Sequence, residues 1–337
     1  MKKILVGVVV LLVVAAAGAG WGWQKLHAPY RGFTGTEVFV EIPQGNGVSA
    51  IGDRLAAAGV VSNALVFRVA ARLSGDERKL QAGEYRFADA ATPADVVARL
   101  AKGDVYTRAI TFREGLTIWD MADVFAQSGL GPKEDFLREA RDVSRIRSID
   151  PEASSLEGYL FPDTYQMPRS AGAKGLVDVM VDGFLRAFDA DLRAAAVARG
   201  LSAREVVTIA SLVEKETAAP DERAIVSAVY QNRLRINMGL QCDPTVIYAL
   251  LLEGRWNGNL TRANLRMDSP YNTYRYAGLP PGPIAAPGRA SLEAAVKPAT
   301  VPYLYFVSRN DGTHAFATSL SEHNRNVQKW QVRFFKR

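Results

Sequence analysis

From Ile4 to Trp23 the chain carries no charged or strongly polar side chain. Twenty helical residues at about 1.5 Å each reach the ~30 Å of a bilayer core, so the segment reads as a transmembrane helix. Lys2 and Lys3 precede it, and Trp21 and Trp23 sit at its far end, where indole rings favour the membrane interface. This arrangement predicts a cytoplasmic N-terminus and an exported body. The competing reading is a cleaved signal peptide, because Ala15, Ala17 and Ala19 offer small-residue cleavage patterns after an apolar stretch. Both readings place the remaining chain outside the cytoplasm.

The chain has 337 residues in all, enough for two packed cores besides the segment. Hydrophobic residues at 48% and charged residues at 23% exclude wholesale disorder. One cysteine, Cys242, cannot form an intramolecular disulfide, and His27, His314 and His323 are too scattered for a Cys/His zinc cluster, so no metal is expected. His314 and His323 read as structural or surface residues. A net charge of +6 suits an anionic partner, yet no run of five basic residues and no basic helix stripe points to nucleic acid.

The first half contains a repeat. Ile42-Pro-Gln-Gly45 aligns with Phe112-Arg-Glu-Gly115 at an offset of 70 residues, and the match continues through Ile51 and Met121, Asp53 and Asp123, and Gly59 and Gly129. Each copy predicts a strand, a glycine turn and a short helix ended by glycine. Between them Gly83–Phe87 reads as a strand, and Thr92 caps a helix with Pro93 at its first position. This α+β pattern resembles LysM-type modules, which bind N-acetylglucosamine chains; a duplicated spacer with no ligand is the alternative.

After Pro151 long helices alternate with motif-rich loops. Ser202-Ala-Arg-Glu205 is a capping box opening a helix to about Thr217. On a helical wheel Glu214 falls among Val206, Val207, Ala210 and Val213, with Lys215 on the opposite, solvent side and Glu216 about 160° from Glu214. A carboxyl on an apolar face tends to stay protonated near neutral pH, as a general acid must. The alternative is a buried ion pair, with Arg233 as a candidate partner. Tyr303–Val307 and Thr313–Ala317 flank Asn310-Asp-Gly312 as a hairpin, followed by a polar helix from about Leu320.

Five motifs in order carry a specific resemblance: Ser211-Leu-Val-Glu-Lys-Glu-Thr217, Leu240-Gln-Cys-Asp-Pro-Thr-Val-Ile-Tyr248, Tyr271-Asn-Thr-Tyr274, Gly278-Leu-Pro-Pro-Gly-Pro-Ile284 and Pro302-Tyr-Leu-Tyr-Phe-Val307. Together with Leu156-Glu-Gly-Tyr-Leu-Phe-Pro-Asp-Thr-Tyr165, they resemble the endolytic murein transglycosylase family, also called MltG or YceG-like. The resemblance implies residues 1–23 as cytoplasmic start and transmembrane helix, 24–37 as linker, 38–148 as the LysM-like α+β region, and 149–337 as an α+β catalytic domain. Cys242 departs from the small polar residue expected at its position.

The resemblance also implies lytic cleavage of the β-1,4 bond between N-acetylmuramic acid and N-acetylglucosamine in nascent peptidoglycan, leaving 1,6-anhydro ends, with Glu214 catalytic. A hydrolase needs a second carboxylate, whereas a lytic enzyme can use one glutamate as acid and then as base, with no metal or cofactor. Gln241, Asp243, Tyr271, Asn272 and Tyr274 are candidate substrate contacts. Each also has a structural reading: Asp243-Pro244 as a helix start, the others as turn or loop packing. Glu157 and Asp163 are the other motif carboxylates. The implied setting is the inner membrane, with the catalytic domain periplasmic and wall synthases as plausible partners. A non-catalytic, anchored peptidoglycan-binding protein is the rival reading.

Overall fold

The computed structural model describes Val13, Gly18 and residues 20–217 and 219–334. Most of the Ile4–Trp23 segment therefore lies outside the described residues. Among those described, no helix is long and apolar enough to cross a membrane. The chain forms two compact units, one running to Arg108 with Gln166–Ser170, the other comprising Ala109–Tyr165 and Ala171–Arg337. The helices of the second copy of the repeat belong to the second unit.

In the first unit, β1 (Val38–Ile42) pairs antiparallel with β2 (Gly83–Phe87), with Val40 opposite Tyr85. Alternation along β1 turns Val40 and Ile42 inward and leaves Phe39 and Glu41 exposed. Helices α1 (Val48–Ala57), α2 (Ala64–Ser74) and α3 (Pro93–Lys102) bury Ile51, Leu55, Phe67, Val96, Val97 and Leu100 against that inner face. Thr92 and Asp95 form a reciprocal capping box at the start of α3, as the sequence predicts.

The second copy of the repeat is β3 (Thr107–Thr111) followed by α4 (Ile118–Gln127) and α5 (Lys133–Glu139). Gly45 and Gly115 occupy the same place in their turns with φ of 81° and 76°, a left-handed conformation that costs glycine nothing. β3 pairs with β4 (Thr164–Pro168). Beyond the strands, the Phe112 N–H donates to the Asp163 carbonyl at 3.0 Å.

The rest of the second unit is mainly helical. α6 (Gly172–Ala187) and α7 (Ala190–Ala198) lead to α8 (Ala203–Glu216), capped by Ser202 and Glu205 as expected. α9 (Arg223–Arg235), α10 (Asp243–Leu252) and α11 (Arg289–Val296) follow. α8 packs against α7, α9, α10 and α11, so every residue from Val206 to Val213 is buried, Thr208 and Ser211 included. A helix surrounded in this way has no continuous solvent face, although Lys215 is exposed where the wheel places it. The chain closes with the hairpin β5 (Tyr305–Ser308) and β6 (His314–Ala317), then α12 (Leu320–Val327).

Candidate active site

Two loops converge on the C-terminal turn of α8. The motif loop from Gly278 is tied down first by Ser211, whose Oγ accepts the Ile284 N–H at 3.1 Å. Ala286 then exchanges two backbone bonds with the repeat turn: its N–H donates to the Leu116 carbonyl and its carbonyl accepts the Gly115 N–H, each at 2.8 Å. Lys215 adds a third tie, donating from Nζ to the Gly115 carbonyl at 3.1 Å. These bonds hold the turn carrying Glu114 beside the end of α8 that carries Glu214.

Glu214 is the centre of this arrangement, with a side chain only 6% exposed. Its Oε2 accepts the N–H of Gly288 at 2.9 Å, the N-cap position of α11, where a negative charge is favoured. Its Oε1 lies 3.9 Å from a guanidinium nitrogen of Arg223 in the first turn of α9. The same nitrogen lies 3.9 Å from Oε2 of Glu114, a half-exposed side chain. Arg223 therefore stands between two carboxyl groups. Burial, and then the charge of Glu214, push the Glu114 carboxyl above its ordinary range, against the pull of Arg223. A Cβ on Gly288 would fall 1.7 Å from Glu114 Oε1, so glycine is what leaves room for that side chain.

Arg233 is not the partner of Glu214. Its guanidinium donates to the carbonyls of Gly239, Leu240 and Leu304, and it lies ten residues, about 15 Å of helix, beyond Arg223. Glu216 is not turned to solvent either. Its Oε1 accepts the Cys242 thiol at 3.2 Å, and burial, with Asp243 nearby, raises its proton affinity. Cys242 thus does as a donor what a hydroxyl would do there.

The other candidates separate into three groups. Gln241, at φ 51°, donates its N–H to the Thr273 carbonyl at 3.1 Å, and exposed Asp243 accepts the Tyr274 hydroxyl at 2.6 Å. Gln241, Asp243 and Tyr274 therefore share one exposed edge. Cys242 takes the N-cap position of α10, so Asp243 and Pro244 stand one place further into the helix than the sequence suggests. Tyr271 packs on Tyr248 with ring centres 5.0 Å apart, and Tyr248 packs in turn on Trp119.

Asn272 belongs to neither group. It is fully buried, its amide donating to the Leu265 and Met267 carbonyls while its oxygen accepts the Tyr274 N–H. With those bonds made inside the protein, Asn272 braces the loop from 265 to 276.

Glu157 is buried and props the start of α4. Its Oε2 accepts the Ile118 N–H at 3.2 Å at the start of α4, and its carboxyl hydrogen-bonds Tyr248. Burial pushes its pKa to about 8. Asp163 is exposed and closes its own turn by accepting the Thr164 N–H at 2.7 Å. His314 contacts Glu222 through Nδ1 at 2.6 Å, a structural pairing.

Sequence reasoning missed Glu114, Arg223 and Gly288. Only Glu114 carried a signal: it is the position in the duplicated turn where the first copy has Gln44. Arg223 and Gly288 stand in no motif that their neighbours mark.

A buried glutamate at a helix end is framed by a guanidinium, a helix N-terminus and a proline-rich loop. The chain belongs to the YceG-like family, whose sequence profile matches residues 40–329. It is 30% identical over 326 residues to the endolytic murein transglycosylase of Bacillus subtilis, covering 91% of this chain and 88% of that protein. It is 31% identical over 325 residues to the protein of the same name from Streptococcus pneumoniae D39, covering 86% of this chain but 58% of that protein. A YceG-like crystal structure from Listeria monocytogenes, 31% identical, superposes with a TM-score of 0.59 over 86% of this chain and 98% of that one. The activity these relatives are named for is that of a lytic transglycosylase.

Proposed function

We propose that this protein is a membrane-anchored endolytic transglycosylase. It cleaves the bond between N-acetylmuramic acid and N-acetylglucosamine in nascent peptidoglycan strands, and so limits their length. The observation that carries the reading is the position of Glu214, buried and held by the Gly288 N–H where the loop from Gly278 meets the Gly115 turn. In the first step the Glu214 carboxyl gives its proton to the glycosidic oxygen as the bond to C1 breaks. In the second the C6 hydroxyl of the muramyl residue bonds to C1, and its proton returns to Glu214. Atoms balance without water, metal or cofactor.

Gln241, Asp243 and Tyr274 supply polar contacts along the glycan, and Tyr271 a ring face. The first unit, with its LysM-like pattern, binds neighbouring sugars. The apolar segment from Ile4 anchors the chain with Lys2 and Lys3 cytoplasmic, placing the body beside the synthases that extrude new strands.

Digestion of purified peptidoglycan tests the chemistry. Internal cuts ending in 1,6-anhydro-N-acetylmuramic acid, about 18 Da lighter than hydrolytic products, support it; exclusively reducing ends overturn it. Binding without release of fragments would make the protein a wall-binding module, with Glu214 serving Arg223 structurally. A reporter fused after Arg337 tests the topology, and activity in the cytoplasm would exclude the export reading.

A further inference from the structure

The geometry points to Glu114 as a positioning residue that keeps the catalytic proton on Glu214 by opposing Arg223. The inference rests on the acid–base reading of Glu214. Two carboxyl groups share one guanidinium nitrogen, each at 3.9 Å, so the site holds one cation for two potential anions. One proton resolves the excess charge, and where two acids interact this closely the proton belongs to the pair.

The surroundings of Glu214 show why a second carboxyl is needed. The Gly288 N–H at the start of α11 and the Arg223 guanidinium at the start of α9 both favour the ionised form. An acid that must begin each turnover protonated is poorly served by those two neighbours alone. The other charges nearby are engaged elsewhere. Lys215 donates to the Gly115 carbonyl, Glu216 accepts from Cys242 with Asp243 of α10 beside it, Glu222 binds His314, and Arg289 of α11 pairs with Asp189 and Glu293. Glu114 is the anion left to offset Arg223. Burial, and then the charge of Glu214, raise the proton affinity of Glu114, so the two carboxyl groups do interact.

Placement of Glu114 is also backbone-determined. The paired bonds between Gly115, Leu116 and Ala286 fix its turn, and Gly288 provides the space that its Oε1 fills.

The test compares pH profiles of anhydro-product release for the full-length wild type, Glu114→Gln, Glu114→Asp and Arg223→Lys. Removing the Glu114 charge lets Arg223 and the Gly288 N–H act unopposed, so Glu214 loses its proton at lower pH. Glu114→Gln is expected to move the alkaline limb down by about one pH unit, an approximately tenfold loss near neutrality that returns at lower pH. Glu114→Asp and Arg223→Lys keep both charges and should leave the limb within about half a unit of wild type. A lowered rate with an unmoved limb, or a raised KM alone, would make Glu114 a structural or glycan-contact residue and overturn the proposal.

A second measurement is independent of cleavage. In protein carrying 13C-labelled glutamate, the Glu214 carboxyl signal, identified by its absence in Glu214→Gln, should titrate at lower pH in Glu114→Gln than in wild type. An unchanged midpoint refutes the coupling. Failure of the functional reading looks different: the wild type itself would release no anhydro ends, while this titration shift would persist.

Discussion

The Glu214 carboxyl accepts the backbone N–H of Gly288 at 2.9 Å, so the acid at the end of one buried helix sits at the N-terminus of another. An amide oxygen can take the same bond. Glu214→Gln should therefore fold normally, with a stability change below about 1 kcal/mol, because Arg223 keeps Glu114 as a partner. Anhydro-product release should fall by about 10²–10⁴-fold. Melting temperature and product release measured on one preparation check both halves, and a folded variant that still cleaves would remove Glu214 from the mechanism.

Gly288→Ala isolates the second carboxyl sterically. The backbone at Gly288 has φ −76° and ψ 170°, a conformation alanine adopts freely, so the fold should survive. The added methyl occupies the place of Glu114 Oε1, forcing that half-exposed side chain aside. Activity should drop tenfold or more, as roughly ångström-scale displacements in a site do, with little change in unfolding midpoint.

Glu157 gives stability a pH dependence with a defined sign. Its carboxyl is raised from an ordinary 4.5 to about 8 by burial, so between those values the folded protein holds a proton that the unfolded chain has lost. The stabilisation is complete below about pH 4.5 and is lost as pH rises through about 8. Glu157→Gln has no proton to lose, and its urea-unfolding free energy should fall less steeply than that of wild type across this window. Parallel slopes for the two proteins would show that Glu157 does not titrate there.

Asn272→Ala should cost about 1–2 kcal/mol, since it removes the partner of the Leu265 and Met267 carbonyls and the Tyr274 N–H in a part-buried loop. Chemical denaturation measures the loss. At a temperature where the variant remains folded, its KM for glycan should exceed that of wild type far less than the KM of Tyr271→Ala does. The opposite order would return Asn272 to the glycan.

Local rules made the frame readable before any coordinates. The pairs Thr92–Asp95 and Ser202–Glu205 mark helix starts because a short side chain can satisfy the first free N–H groups only from that place. Glu214 was legible for a related reason: it interrupts an apolar surface, and the motif around it is specific. Periodicity was silent on the partner of Glu216, because Cys242 reaches it from the loop before α10. It was silent again on Arg223 and Gly288, which reach Glu214 only through the tertiary arrangement of α9 and α11. Asn272 misled for a different reason. An amide between two tyrosines suits a sugar as well as it suits a tight loop, and only the bonds it makes distinguish the two.

The duplicated turn has a consequence for experiment. Gln44 and Glu114 hold the same position before Gly45 and Gly115, whose backbones share one conformation, so the chain already contains the uncharged version of its own turn. The protein carries an internal reference for the substitution that removes the charge: the first copy shows that an amide fits this bend without disturbing the strand before it or the helix after it. Exchanging the two side chains, Gln44→Glu with Glu114→Gln, would keep composition and net charge constant while moving one carboxyl from one turn to the other. Whatever change in chemistry followed would report location alone.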